Sequence, residues 1–314
     1  MIGVISVVAL MSVGLGVKKE MIDSVVDSGS VNQIKVYSET GGKHKDRMIT
    51  DKTIETFSKF SNVSGCYSVY EVPVTMKYGE YEYYGNLVGV PGDELSTWKL
   101  INGENVIKDS DGKGFAAGSS VGKLFFNPNT YTSFEKKEKK GIGSLTGRRF
   151  DTVFGWGDEN AKTVKLKLTG VLADGSADKA SDDDSDNTEG EVYTSTYSEK
   201  SQTIYCDMDY LKSLLKRVSV DGKLEGQPVD GNGNSYREFI YTAAIVTVDD
   251  TNNVDAIVKK FQDMGYQTEN AKEYLDTIQK YLKMIQLLLG GIGTIALVVA
   301  VIGISNTMTT SVFD

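Results

Sequence analysis

"GGIGTIALVVAVIGISNTM", residues 290–308, is an uncharged, glycine-rich run close to the end of a 314-residue chain of which a quarter is charged. No charged side chain occurs from Met284 to Phe313, and none from Met1 to Val17; every Lys and Arg lies between those limits. A membrane-spanning helix needs about 20 apolar residues, and Met284–Met308 supplies them. Residues 284–308 are therefore predicted to span a bilayer. The opening "MIGVISVVALMSVGLGV" is a second apolar run, long enough for roughly 26 Å of helix at the α-helical rise. A signal peptide would carry its bases before the apolar run and a small-x-small site after it. Here Lys18 and Lys19 follow the run, which favours a membrane helix.

Between the two runs, residues 18–283 form one long loop with 34 basic and 42 acidic residues, Asp314 lying outside it. Such a balance argues against a nucleic-acid binder, whose recognition needs a basic footprint. Long loops escape the positive-inside rule, so charge leaves the orientation open. Cys66 and Cys206 allow one disulfide bridge or none.

The helical pattern of the first run continues through "KKEMIDSVVDSGS" to Gly29. At the far end, no Gly or Pro occurs from Ala271 to Leu289, and Tyr274, Ile278, Tyr281 and Ile285 repeat at helical spacing. Joined to the apolar run, this predicts one helix of about 40 residues, roughly 60 Å long, serving as stalk and anchor. Inside each stalk lies a strand–helix–strand signal. "NQIKVY" and "YSVYEVPV" read as strands around a helix "TDKTIETFSKF", capped by Thr50 with Ile54, Phe57 and Phe60 inward. "FIYTAAIVTVDD" reads as a strand, followed by a helix capped by Asn252 that turns Val254, Ile257, Val258 and Phe261 inward, then Gly265 and a short strand. Paired in one sheet with helices on one face, these units predict an α+β fold.

The stretch between the units reads as an insertion of short strands ("KTVKLKLTGVL", "TIYC"), two short helices and turns at Asn102-Gly103, Asp111-Gly112 and Asp221-Gly222. The expected organisation is a first membrane helix and stalk over 1–28, a first half-domain over 29–92, an inserted mainly β subdomain over 93–234, a second half-domain over 235–270, and a stalk with membrane helix over 271–314. Residues 174–191 hold eight acidic residues, one Lys and no large apolar residue, the composition of a solvated loop.

Motifs for chemistry are weak. "GSSVGK", 118–123, is one residue short of a phosphate loop and is followed by Leu124 instead of Ser or Thr; the reading it supports is a helix start packing Leu124 and Phe125. "DGNGN" (Asp230, Asn232, Asn234) opens like a calcium loop without its glycine or closing glutamate and reads as a turn. His44 is the only histidine, too little for a His-rich zinc site, and neither cysteine has a histidine nearby in sequence. No catalytic, cofactor-binding or metal residue is assigned. The informative small residues are Gly293, Ala296, Ala300 and Gly303, which step by three, four and three along one face of the last helix, where missing bulk admits a second helix. Gly3, Ser6, Ala9, Ser12 and Gly16 make a similar stripe in the first run, and Asn306 adds a polar group.

The opening "IGVISVVALMSVGLGVKKEM", the closing "IQLLLGGIGTIALVVAVIGISNTMTTSVF" and "FAAGSSVGKLFF" resemble the MacB-like (FtsX-superfamily) permease subunits of ABC transporters, specifically in the membrane segments and by pattern in the middle. The resemblance implies a porter-like α+β subdomain built from both ends of the loop, an inserted mainly β subdomain, and a domain facing the outside of the cell or the periplasm. It also implies a multi-pass protein of the cell (inner) membrane, with no cofactor in this chain and no bond chemistry of its own. ATP and Mg²⁺ would sit in a separate ABC ATPase, and a second permease chain would pack through the small-residue faces. Family members continue after "SV" into a cytoplasmic coupling segment; this chain stops at Asp314, so the resemblance implies a fragment holding two of four membrane helices. The implied function is transmission of ATP-driven movement to the outer domain for export or extraction of peptides, antimicrobials or lipoproteins. The alternative is a two-helix receptor with an extracytoplasmic ligand-binding domain. A membrane-tethered hydrolase has no catalytic constellation to support it.

Overall fold

A computed structural model describes residues 31–39, 47–105, 112–155, 162–173, 199–219, 223–230 and 232–313. The first membrane helix expected over 1–28, His44, the acidic loop 174–191 and the Asp221-Gly222 turn lie outside the described residues. In chain order the elements are β1 (Gln33–Tyr37), α1 (Asp51–Ser58), β2 (Val63–Tyr78), β3 (Tyr81–Val90), α2 (Gly92–Thr97), β4 (Leu100–Gly103), β5 (Phe115–Ala117), α3 (Val121–Leu124) and α4 (Phe134–Glu138). They continue with β6 (Arg149–Phe154), β7 (Thr163–Leu172), α5 (Glu199–Gln202), β8 (Ile204–Asp207), α6 (Met208–Val218), β9 (Ala243–Val248), α7 (Val254–Asp263), β10 (Gln267–Asn270) and α8 (Ala271–Phe313). Helices and strands are thus mixed around a sheet, as the sequence predicts. Residues 27–270 form one compact unit, and α8 belongs to another.

The outer strands of the compact unit pair in the order β10-β1-β9-β2, all antiparallel. With α1 after β1 and α7 after β9, this is the split βαβ, ferredoxin-like arrangement. Thr50 caps α1 through a capping box with Thr53, satisfying backbone donors that a helix start leaves orphaned. Phe57 is fully buried and meets Phe261 of α7 edge-on at 4.7 Å and Tyr266 at 5.4 Å. Ile34, Val36, Val246 and Val248 line the same core with Val254 and Ile257, while Ile54, Phe60 and Val258 pack against its rim. The second helix does not start on Asn252: Asp250 accepts the Asn252 backbone N–H at 2.8 Å and opens a 3₁₀ turn, Thr251–Asn253, before α7. A side chain two residues upstream reaches that N–H in the geometry of an Asx turn.

Strand β2 leaves this sheet and enters a second structure. Its first part pairs with β9 up to Val69, its second with β3 from Tyr70 and with β6 over Val74–Lys77. From β3 the pairing continues to β8, β5, β7 and β6, and β6 returns to β2. Six strands therefore close into a barrel, with β3–β8 and β5–β7 parallel and β4 added on the edge of β7. Closure removes the free edges that an open sheet would expose. The barrel is packed with Met76, Phe115, Phe125, Phe150, Leu166 and Leu168, each at most 1% exposed, and Phe125 and Phe150 meet edge-on at 5.5 Å. Gly79, at φ +60°, takes the first central position of the β2–β3 hairpin, the place that type II′ turns reserve for glycine.

The "FAAGSSVGKLFF" stretch runs through β5 and α3. Phe125 is buried as expected, but Leu124 is 37% exposed, and Val121 takes the inward place, because α3 makes only one turn and Leu124 ends it. A Cβ at Gly118 would stand 2.2 Å from the Ser201 carbonyl oxygen, so this glycine serves backbone-to-backbone packing. "DGNGN" is a turn in which Asp230 Oδ1 accepts the Asn232 and Asn234 N–H groups, each at 2.9 Å. Cys66 on β2 and Cys206 on β8 are both free.

Burial also fixes several ionisations. It pushes the Cys66 thiol up to about 11, partly opposed by a hydrogen bond with Ser58, and the Tyr83 phenol up to about 12. Cys206 is raised well above the usual thiol value by burial and by Asp207. Each group binds its proton more tightly folded than unfolded. Their stabilisation is complete below the ordinary values and is lost as pH rises through the folded ones.

Gly118→Ala costs about 1–3 kcal/mol through overpacking, whereas Leu124→Ala stays within about 0.5 kcal/mol, both read from urea unfolding in detergent. Stability falls between pH 9 and 11 with a contribution from Cys66, and Cys66→Ala flattens that part of the pH profile. A maleimide at neutral pH modifies Cys66 slowly and Cys206 only on unfolding.

Candidate functional site

The functional feature with the clearest physics is α8, 43 residues without interruption. Its segment Lys283–Thr309, 27 residues, is long and apolar enough to cross a membrane, since about 20 residues suffice for the hydrocarbon core. It is the one such helix among the described residues. Leu288, Ile295, Val298, Val301, Ile304 and Met308 are each at least 51% exposed, and at 100° per residue they point to several sides of the helix. A water-soluble surface does not carry an apolar patch of that extent, whereas lipid solvates it. The polar side chains within the span fit the same solvent. Thr294 donates to the Gly290 carbonyl at 2.8 Å, Thr307 to that of Gly303 at 2.8 Å, and Thr309 to that of Ser305 at 2.7 Å. Hydroxyls bonded back to their own helix present no unsatisfied donor to hydrocarbon.

Gly293, Ala296, Ala300 and Gly303 all lie on this helix. At 100° per residue their spacing keeps them on one side, and a Cβ at Gly303 would meet nothing within 4 Å. Of the stalk residues, Tyr281 and Ile285 are exposed; the side chains of Tyr274 and Ile278 lie outside the described residues.

In the compact unit the chemistry is sparse. Among the described residues no three His, Cys, Asp or Glu side chains gather in a metal-binding cluster. The two thiols are held protonated by burial, which opposes a nucleophilic role. What sequence reading missed is a polar junction between the ferredoxin-like layer and the barrel. Tyr241, just before β9, is 3% exposed and donates to Asp51 at the start of α1. Burial, then the bond to Asp51, hold its phenol well above the ordinary value, so it stays a donor. Residues 51 and 241 are far apart in sequence, and no spacing pattern announces their contact.

The family model described as the MacB-like periplasmic core domain matches residues 1–264. No curated protein sequence matches the chain. Among solved structures, the chain is similar to the extracellular domain of the noncanonical ABC-type transporter YknZ from Gram-positive bacteria, at 13% identity and a TM-score of 0.39, covering 76% of this chain and 100% of that one. It is also similar to the periplasmic region of MacB from Actinobacillus actinomycetemcomitans, at 14% identity and a TM-score of 0.40, covering 80% of this chain and 92% of that one. With the family model spanning most of its length, the chain belongs to the family of MacB-like periplasmic core domains of ABC transporter permeases.

Proposed function

We propose that this chain is a permease subunit that passes ATP-driven movement of a separate ATPase to its extracytoplasmic domain, for export or extraction of peptides, antimicrobials or lipoproteins from the outer face of the membrane. The observation that carries the proposal is continuity: β10 ends at Asn270 and α8 starts at Ala271, with no residue between them. The last strand of the compact unit is thereby bonded directly to a helix of about 65 Å that holds the apolar span. A helix is stiff along its axis, whereas a flexible linker would dissipate a small displacement. In this reading Tyr274, Ile278, Tyr281 and Ile285 form the stalk face. Gly293, Ala296, Ala300 and Gly303 receive a helix of a second permease chain, where small residues let backbones approach. ATP and Mg²⁺ belong to the ATPase partner, the bilayer surrounds the span, and this chain breaks no bonds. The receptor alternative shares the helix but draws nothing from the family match.

Two tests separate the parts of this reading. Inserting Gly-Gly-Ser between Asn270 and Ala271, in cells that express the chain with its ATPase, abolishes export-dependent resistance to antimicrobial peptides while ATP hydrolysis in isolated membranes persists. Full resistance with the insertion would exclude the lever. Gly303→Leu lowers disulfide cross-linking between chains carrying Ala300→Cys about tenfold, the loss expected for one close helix contact worth 1–2 kcal/mol. Unchanged cross-linking would show that this face does not meet a partner.

A further inference from the structure

Three side chains from three elements form one hydrogen-bonded chain where the ferredoxin-like layer meets the barrel. Asp51 is the first residue of α1, Tyr241 stands on the segment that returns the chain to β9, and Lys212 lies in the middle of α6. The Tyr241 hydroxyl donates to Asp51 Oδ1 at 2.6 Å and accepts from Lys212 Nζ at 2.8 Å. A phenol has one hydrogen to give; this one gives it to Asp51 while its oxygen takes the Lys212 donor across the junction, and Ser68 also bonds the same hydroxyl. The Lys212 ammonium also lies 4.9 Å from the ring centroids of Phe239 and of Tyr241.

The same segment is strapped on two further sides. Gln227 mimics a strand neighbour: its side-chain oxygen accepts the Ile240 N–H at 2.9 Å, and its side-chain nitrogen donates to the Ile240 carbonyl at 2.7 Å. Tyr70, at the point where β2 passes into the barrel, donates to the Glu225 carbonyl at 2.7 Å, and its ring meets Phe239 at 4.8 Å. On the layer side, the Tyr241 N–H donates to the Ile49 carbonyl at 2.8 Å, one residue before the cap of α1. On the barrel side, α6 lies against β3, so closely that a Cβ on Gly89 would come within 2.6 Å of Leu211.

We infer that the Asp51–Tyr241–Lys212 chain is a clamp that makes the ferredoxin-like layer and the barrel one rigid body with no hinge between them. Two connections alone, β2 and the return segment, would leave bending about the line joining them. The clamp fastens the return segment to a helix of each half, and its members make charge-assisted bonds around a buried hydroxyl, the stronger class of hydrogen bond. The inference concerns how the domain moves, and it stands or falls independently of the transport function proposed above.

The test uses the full chain in nanodiscs with Cys66→Ser, spin-labelled at Lys259→Cys on α7 and at Lys140→Cys in the loop before β6. With Tyr241 present, the label-to-label distance distribution is single and narrow. Tyr241→Phe, which keeps the ring and its contact with Phe239, broadens or splits it, and amides of α1 and α6 exchange with solvent about tenfold faster together, the effect of losing one or two such bonds. Lys212→Met gives the same broadening and serves if the first variant does not fold. A distribution already broad with Tyr241 in place overturns the clamp. So does one that stays narrow in the variants, or faster exchange confined to one helix.

Discussion

The fold depends on a single constraint: β2 must find backbone partners along sixteen residues in two different surroundings. Each buried N–H and C=O left unpaired costs as much as a lost hydrogen bond. The strand meets this demand by pairing with β9 at its start and with β3 and β6 towards its end. A strand ending near Val69 would complete the ferredoxin-like layer and leave the barrel open between β3 and β6. The barrel therefore closes on a strand whose first half belongs to the other sheet. The hydrophobic core follows the same path: Phe57 and Phe261 of the layer and Phe115, Phe125 and Phe150 of the barrel belong to one connected cluster.

How much of this could be read from residues depended on how local the determining interaction is. The cap at Thr50, the burial of Phe57, the inward face of Val254, Ile257 and Phe261, and the long terminal helix all rest on residues within a few positions of one another, and each was legible. The extent of β2 was not. Pro73 interrupts a stretch that otherwise alternates, and a proline argues against a central strand. Its carbonyl accepts from the Gly155 N–H at 2.9 Å, immediately beyond the last residue of β6. A residue's N–H and C=O face the same neighbouring strand, so the donor that proline lacks falls where the β6 ladder ends.

Other features were hidden by distance in sequence. The parallel pairs β3–β8 and β5–β7 join segments separated by intervening elements, and nothing in "TIYC" specifies its neighbours. The choice of Asp250 over Asn252 as the cap turns on a 3₁₀ turn that both residues suit. Leu124 and Val121 share a four-residue helix too short to show a periodic face. The candidate site divides in the same way: the small residues on α8 repeat along one helix and were visible, whereas Tyr241 acquires Asp51 and Lys212 only through the closed topology.

The helix α8 gives the domain its setting. The compact unit continues, without an intervening residue, into a helix whose apolar side chains face outward on several sides. Lipid is the solvent that such a surface matches, and membership of the MacB-like family places the compact unit outside the cell membrane. The most direct test is the labelling of intact cells with a membrane-impermeant maleimide after placing single cysteines, in a Cys66→Ser background, at Lys259 on the compact unit and at Ser311 beyond the apolar span. The account predicts labelling at residue 259 in intact cells and at residue 311 only after the membrane is opened. Labelling of residue 311 in intact cells, or of residue 259 only after opening, would contradict it.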